Sequence, residues 1–169
     1  RLWTQIQSLN QGIDPNFEQI PDKSTKICSG AAVDPSCRNQ RSLKSRTIKK
    51  KEAGANFLQT QIVMDRKCLA NFCNEISNPI AIPVIAGVFL LKSYKNALFI
   101  KKFVPGENIP ENVLNRLKDA KNPLKEGILI ASEQAQDVIN IADGMNLMTV
   151  KAEHLIPEIL EKAGINLEC

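Results

Sequence analysis

The sequence predicts an α/β fold in which short parallel strands alternate with helices. Three observations predict it. Four apolar, strand-like segments are separated by stretches of helical periodicity, the pattern of repeated β-α-β crossovers. One of them, residues 82–91 (IPVIAGVFLL), is apolar on both faces, as a strand buried in a parallel sheet must be. One phrase also recurs where a helix hands over to a strand. Glu52-Ala53-Gly54-Ala55-Asn56-Phe57 returns as Ala142-Asp143-Gly144-Met145-Asn146-Leu147, and more weakly as Lys162-Ala163-Gly164-Ile165-Asn166-Leu167. Each copy reads as a helix end, a left-handed glycine and the first residues of a strand.

The elements follow in order. Leu2, Trp3, Ile6 and Leu9 recur at three- and four-residue spacing and predict an opening helix, stopped by Asn10, Gly12, Asp14 and Pro15. Residues 26–33 (KICSGAAV) read as a short buried strand whose small side chains admit a ligand or a neighbouring backbone. A helix over 36–53 ends at Gly54, placed as its left-handed cap. Residues 56–64 form the second strand, and Asp65 caps a helix running to about Glu75. Residues 82–91 form the third strand, and Ser93 caps a helix reaching Phe103. A turn at Val104-Pro105-Gly106 leads to an amphipathic helix over 110–120 carrying Val113, Leu114 and Leu117. A longer helix over 124–142 carries Ile128, Ala131, Ala135, Val138 and Ile141. The fourth strand spans 144–150 and the last helix 152–163.

Composition narrows the function classes. At 169 residues, 43% hydrophobic and 24% charged, the chain is read as part of one globular domain over 1–169. No run of about 18 apolar residues predicts a membrane span. The chain begins at Arg1 with no signal-peptide pattern, so it is read as a piece of something longer. Five cysteines at spacings that match no zinc pattern read as reduced thiols in a cytoplasmic protein, with no metal site. The net charge is only +4, but Arg38, Arg41, Lys44, Arg46, Lys49, Lys50 and Lys51 follow one another without an acid. Most of these charges suit a solvated helix face, and one or two could contact a phosphate. No aromatic residue interleaves the run, so no nucleic-acid partner is expected. His154, the only histidine, has no ligand-type neighbours and reads as structural or exposed.

Four parallel strands cannot close a barrel, and an open sheet leaves its edges unpaired. Either the other half of a barrel lies outside this chain, or the chain is a small α/β domain with covered edges. In a barrel the chemistry sits at the carboxyl ends of the strands. That rule selects Ala31, Ala32 and Asp34, then Thr60, Gln61 and Asp65, then Lys92, Ser93 and Tyr94, then Met148, Thr149 and Lys151. Gln61 is the most informative, because an amide that donates and accepts suits the edge of a pterin, flavin or nicotinamide ring. The bland alternative is a strand-end amide bonded to loop backbone. Tyr94 is either packing or a ring stacked on a planar ligand. No Walker A, G-x-S-x-G, H-E-x-x-H or G-x-G-x-x-G motif is present.

The segment Lys51-Glu52-Ala53-Gly54-Ala55-Asn56-Phe57-Leu58-Gln59-Thr60-Gln61, ending in Asp65, resembles the K-x-x-A-G-A-x-F-x-x-T-Q…D segment of methylenetetrahydrofolate reductases. Several other segments are similar to the same family, in order. They are Gly30-Ala31-Ala32-Val33-Asp34-Pro35, Pro83-Val84-Ile85-Ala86-Gly87-Val88, Val104-Pro105-Gly106 and Ala142-Asp143-Gly144-Met145-Asn146-Leu147-Met148. The resemblance implies a (β/α)8 TIM barrel, of which this chain supplies roughly the last four β/α units. It implies FAD as cofactor and flavin-dependent reduction of 5,10-methylenetetrahydrofolate to 5-methyltetrahydrofolate, with NADH, NADPH or another electron donor. Carried over by position, Gln61 and Tyr94 bind substrate, while Ala31, Ala32 and Lys50 hold the flavin. The missing N-terminal half of the barrel is then a partner, with a homo-oligomer left open and no membrane association.

The sequence also departs from the family pattern. Ile62-Val63-Met64 replaces an aromatic run, Leu43 stands where an acidic residue is expected, and a histidine after the first strand is absent. The family's catalytic glutamate and flavin-tuning aspartate come from strands that would precede Arg1, so these residues alone are expected to be inactive. Two rivals remain: a non-catalytic half-barrel that serves as an interaction module, and a folate-binding methyltransferase barrel without flavin.

Overall fold

Four strands lie side by side in the order of the chain, each parallel to the next. In this computed structural model the described residues are 2–21, 25–104 and 109–166. The elements are α1 (Leu2–Asn10), β1 (Gly30–Val33), α2 (Gln40–Glu52), β2 (Phe57–Ile62), α3 (Arg66–Phe72), β3 (Val84–Phe89), α4 (Tyr94–Phe103), α5 (Glu111–Asp119), α6 (Pro123–Ile139), β4 (Gly144–Met148) and α7 (Ile156–Lys162). The α/β class with parallel pairing is thus as the sequence predicts. Pro105, Gly106 and Cys169, which carry parts of the expected turn and cysteine set, lie outside the described residues, as does Leu167 of the third repeat.

Sequential order with crossovers of one hand sends successive helices to the same face of the sheet. The burial pattern agrees. Leu58, Val84, Ala86, Val88 and Leu90 are fully buried in a core shared with Leu43 of α2, Leu69 and Phe72 of α3, Ile128 and Ala131 of α6, and Ile159 of α7. On the opposite face Gly30, Ala32 and Gln61 are exposed, while Phe57 and Gln59 are half-buried. A second core closes over the carboxyl end of β3, where Phe89 and Leu91 meet Ala97 and Ile100 of α4, Val113, Leu114 and Leu117 of α5, and Ile130 of α6. Burying a leucine or isoleucine in either cluster contributes about 2 kcal/mol each. These clusters, more than the weakly amphipathic α2, hold the layers together.

The caps form where their residue types place them. Asp65 accepts from the backbone N–H groups of Lys67 and Cys68, and Ser93 from that of Asn96. At the end of α2, Gly54 takes φ +105°. The Ala55 N–H reaches the Lys50 carbonyl at 3.0 Å and the Gly54 N–H the Lys51 carbonyl at 2.9 Å, which is a Schellman motif. The same pair of bonds ends α7, from Ile165 to Leu160 and from Gly164 to Glu161. Gly144 departs from this expectation. It is not among the left-handed residues, because α6 already stops at Ile139 and Gly144 begins β4 opposite Ile85.

Other boundaries are corrected as well. β1 starts at Gly30 rather than residue 26, because side chains have taken the backbone groups before it. Asn10 bonds both N–H and C=O of Ile27, and Asn56 accepts the Ser29 N–H at 2.9 Å. The helix expected from residue 36 begins at Gln40, capped by Asn39. The helix after β2 gives way at Cys73 to a wider turn, Cys73–Ser77, then to a tight one, Asn78–Ile80, that contains Pro79. The final helix is split, with a tight turn at Glu153–Leu155 before α7, whose start carries Pro157.

Asp143 performs for β3 the service that Asn56 performs for β1. Its carboxylate accepts the Val84 N–H at 2.9 Å, and its own N–H donates to the Val84 carbonyl at 3.0 Å. The two joints thus seal the start of a neighbouring strand by different positions of the phrase, Asn56 two residues after its glycine and Asp143 one residue before.

Candidate functional site

The carboxyl ends of β1 and β2 open into two adjoining clefts that share Ala32 and Gln61. One, of about 260 Å3, lies between β1 and α2 and is lined by Asp34, Cys37, Arg46 and Lys50 among others. The second, of about 320 Å3, lies over the uncovered sheet face and is lined by Gly30, Ala31, Ala32, Phe57, Gln59, Thr60 and Gln61. A larger groove of about 610 Å3 lies outside, between α2 and α3, with Arg41, Lys44, Cys68 and Glu75 on its walls. Pro35, just past the end of β1, also lines it.

The first cleft is basic because of helical spacing. Arg46 and Lys50 are four residues apart on α2, so both side chains lie on the side facing β1. The Lys50 ammonium donates to the Ala32 carbonyl at 2.5 Å. Burial, and next the neighbouring Arg46 guanidinium, lower the Lys50 pKa below the usual lysine range. Arg46 in turn donates to the Ser42 carbonyl and to the Cys37 sulfur, the latter at 3.3 Å. Among the described residues neither cation forms an ion pair with a carboxylate. Two adjacent cations with no ion-paired carboxylate, in a cleft that Asp34 also lines, make a place for an anion.

Gln61 owes its position to an irregularity in β2. Gln59 pairs with Ile85 and Ile62 with Gly87, so Thr60 and Gln61 together face Ala86 and the strand bulges. The bulge leaves Gln61 exposed beside Ala32 at the rim of both clefts.

Of the residues singled out in the sequence, the structure brings Ala31, Ala32, Lys50 and Gln61 to these clefts. Ala32 turns outward, whereas Ala31 is buried on the helix side. Tyr94 lies elsewhere: it packs against the second core, with Ile62, Met64 and Met148. Lys92 bonds the Val150 carbonyl at 2.6 Å. Asp65 is occupied as a helix cap and also bonds the Cys68 thiol, whose pKa is raised first by burial and then by that bond. Arg46, Cys37, Phe57 and Gln59 were not singled out as site residues. The four-residue offset from Lys50 was a signal for Arg46, and the two-residue alternation with Gln61 a signal for Gln59 and Phe57. Among the described residues no three His, Cys, Asp or Glu side chains are grouped to hold a metal ion. No described helix is long and apolar enough to cross a membrane.

Comparison with known proteins bears on this geometry. The profile of the family described as methylenetetrahydrofolate reductase matches residues 23–164. The chain belongs to the methylenetetrahydrofolate reductase family. A search of curated protein sequences gives no match. Among solved structures, the chain is similar to a Clostridium thermocellum protein described as uncharacterized and as binding two copies of 5-methyl-5,6,7,8-tetrahydrofolic acid. The TM-score is 0.60 at 20% identity over 85% of this chain, a likeness of fold. The chain spans 55% of the length of that structure. The matched family region contains the whole cleft, from Gly30 to Gln61.

Proposed function

We propose that this methylenetetrahydrofolate reductase-family chain forms roughly the last four β/α units of a (β/α)8 barrel. The barrel would bind FAD and reduce 5,10-methylenetetrahydrofolate to 5-methyltetrahydrofolate with a reduced nicotinamide or similar donor. The observation that carries the reading is the convergence of Gln61, Ala32, Lys50 and Arg46 on the strand ends within the family-matched region. The uncovered sheet face supports the barrel. It carries Gln59 and Gln61 and the small Gly30 and Ala32 beside Phe57, a mixed lining that suits a barrel interior.

The residues present fit the proposed cofactor at its anionic end. Arg46 and Lys50 supply two cations that lack a carboxylate partner, and together they suit a diphosphate. Ala32 presents little bulk on the open face, so a flat ring system can approach the sheet there, whereas the Phe57 ring lies over Gly30. Bound FAD would supply the two-electron redox chemistry. This chain's own contribution is binding and orientation. Gln61 would pair its amide with the edge of the pterin or nicotinamide ring, and Lys50 would exchange its bond to the Ala32 carbonyl for one to a phosphate oxygen. The one carboxylate among the described lining residues of the clefts is Asp34, which already accepts the Ser36 N–H at 2.8 Å. Proton transfer and tuning of the ring would fall to groups from the other half of the barrel.

The test is a visible spectrum of the protein as its gene encodes it, incubated with FAD and freed of unbound flavin by gel filtration. A retained flavin spectrum that bleaches with NADH or NADPH and recovers with methylenetetrahydrofolate is the expected result. A folded protein that retains no flavin refutes the reductase reading, and folate binding without flavin would then point to a methyltransferase-type barrel.

A further inference from the structure

We infer that Thr60 is the positioning residue for Gln61, acting through a three-residue lock with Gly87; the inference rests on the reading of Gln61 as a ring-binding amide. Three independent features define the lock. The pairing of β2 with β3 shifts register between Gln59 and Ile62, placing Thr60 and Gln61 opposite the single residue Ala86. The Thr60 hydroxyl, in a residue only 4% exposed, bridges the irregularity: it accepts the Gly87 N–H at 2.9 Å and donates to the Gln61 carbonyl at 2.5 Å. Gly87 makes room for that carbonyl. A Cβ at position 87 would stand 2.8 Å from the Gln61 oxygen and 3.1 Å from its carbon, both main-chain atoms that cannot swing aside.

The chemistry needs a hydroxyl at position 60. A bulge takes one residue out of the regular ladder and strands backbone groups that a buried site cannot leave unpaired. A single oxygen that both donates and accepts satisfies the Gly87 N–H and the Gln61 C=O together. It thereby fixes the peptide that carries the Gln61 side chain. Valine has the same shape and neither function. Serine has both functions on a smaller frame.

Gln61 can bind a ring edge tightly only if its amide is already aimed, since an amide free to rotate loses that freedom on binding. The lock supplies this aim through the backbone of β2 and β3, with the Thr60 hydroxyl already engaged by both strands.

The experiment uses the protein as its gene encodes it, with Thr60→Val, Thr60→Ser, Gly87→Ala and Gln61→Ala variants. Two readouts are taken on each folded variant: the side-chain amide signals of Gln61 in a 15N–1H spectrum, and the affinity for 5-methyltetrahydrofolate by calorimetry. Thr60→Val and Gly87→Ala are expected to move or broaden the Gln61 amide pair and weaken folate binding about tenfold, approaching Gln61→Ala, while Thr60→Ser stays within about threefold of the parent. Thr60→Val with an unmoved Gln61 amide pair and parental affinity would overturn the inference. So would Thr60→Ser behaving like Thr60→Val, which would mark a packing role. If the parent binds no folate, the functional reading fails, and the amide signals still report whether the hydroxyl sets the Gln61 side chain.

Discussion

Replacing Gly127 with alanine tests how tightly α6 is docked against the loop that follows β3. Gly127 lies in the second turn of α6, and the space where its Cβ would go is taken by the main-chain carbonyl of Leu91, with the carbonyl carbon at 3.0 Å and Leu90 Cδ1 at 3.6 Å. Neither side yields easily. Leu90 and Leu91 are fully buried in the two separate cores, and Ile128, Ile130 and Ala131 pin the helix beside Gly127. Restoring ordinary contact requires the helix or the loop to retreat by roughly 1.5 Å, which forfeits dispersion contacts along the seam. Overpacking of this kind costs about 3 kcal/mol when backbone is involved, at the upper end of its usual range. The better helix propensity of alanine returns about 1 kcal/mol. The net is about 2 kcal/mol of destabilisation, or a melting temperature lower by roughly 4–8 °C for a domain of this size. Thermal unfolding followed by circular dichroism measures it, with Gly144→Ala as the control. There the nearest atom to an added Cβ is Ile85 Cγ1 at 3.7 Å, so the expected change stays within about 0.5 kcal/mol. A Gly127→Ala protein that melts at or above the parent temperature would refute the close-approach argument.

Three further outcomes are expected. Asp143→Ala leaves the N–H of the fully buried Val84 without its acceptor and should cost about 1–3 kcal/mol in urea unfolding, whereas Asp143→Asn keeps an acceptor oxygen and should recover most of it. Anion binding in the Lys50 cleft, followed with inorganic phosphate or FAD, should be strongest below the lowered Lys50 pKa and weaken as pH rises through it. An anion favours the charged ammonium, so affinity falls once that form is lost, and it does so at lower pH than for an ordinary lysine. Lys50→Arg should flatten that fall, because arginine stays charged throughout; an unchanged pH profile would remove Lys50 from the site. In iodoacetamide labelling followed by mass spectrometry, exposed Cys28 should react ahead of Cys68 and Cys73, whose pKa values are raised first of all by burial, and Asp65→Asn should speed Cys68. Equal rates at all three sites would contradict the assigned burial.

What the sequence made legible was what short-range chemistry decides. Asp65 and Ser93 cap their helices because each reaches backbone N–H groups two or three residues ahead, a geometry written in local spacing. The glycine after α2 behaves as the phrase suggested, since a Schellman motif is also local. The parallel pairing followed from strands apolar on both faces. The bulge at Thr60 and Gln61 was not legible, because it is set by Gly87, a residue 27 positions away. The late start of β1 was hidden for the same reason, as Asn10 and Asn56 claim the backbone before it from outside the strand. Gly144 shows the limit of a repeated phrase: the shared glycine stops a helix at Gly54 and starts a strand at Gly144, depending on where the preceding helix has already ended. Within the cleft, Ala32 and Gln61 satisfy the rule of strand ends, whereas Lys50, on α2, was implied only by the family resemblance. Tyr94 met the same rule and, half-buried, packs against the second core.

The sequential strand order also implies an order of events during folding. Gly30 pairs with Phe57 and Leu58 with Val84, so the first two ladders each close over about 27 residues of chain. The third joins Val84 to Asp143 across 59 residues that include α4, α5 and most of a second core. Doubling the loop adds only about 0.6 kcal/mol of closure entropy, so the final state is scarcely penalised. The search for that contact is longer, because three helices, α4, α5 and α6, and their apolar cluster must settle first. β1, β2 and β3 should therefore assemble early with α2 and α3, and β4 should dock last, with the Asp143 carboxylate closing the sheet. Amide exchange after brief refolding should show Leu58 protected before Met145, and the cleft of Ala32, Lys50 and Gln61 would already stand while the last strand is still being delivered.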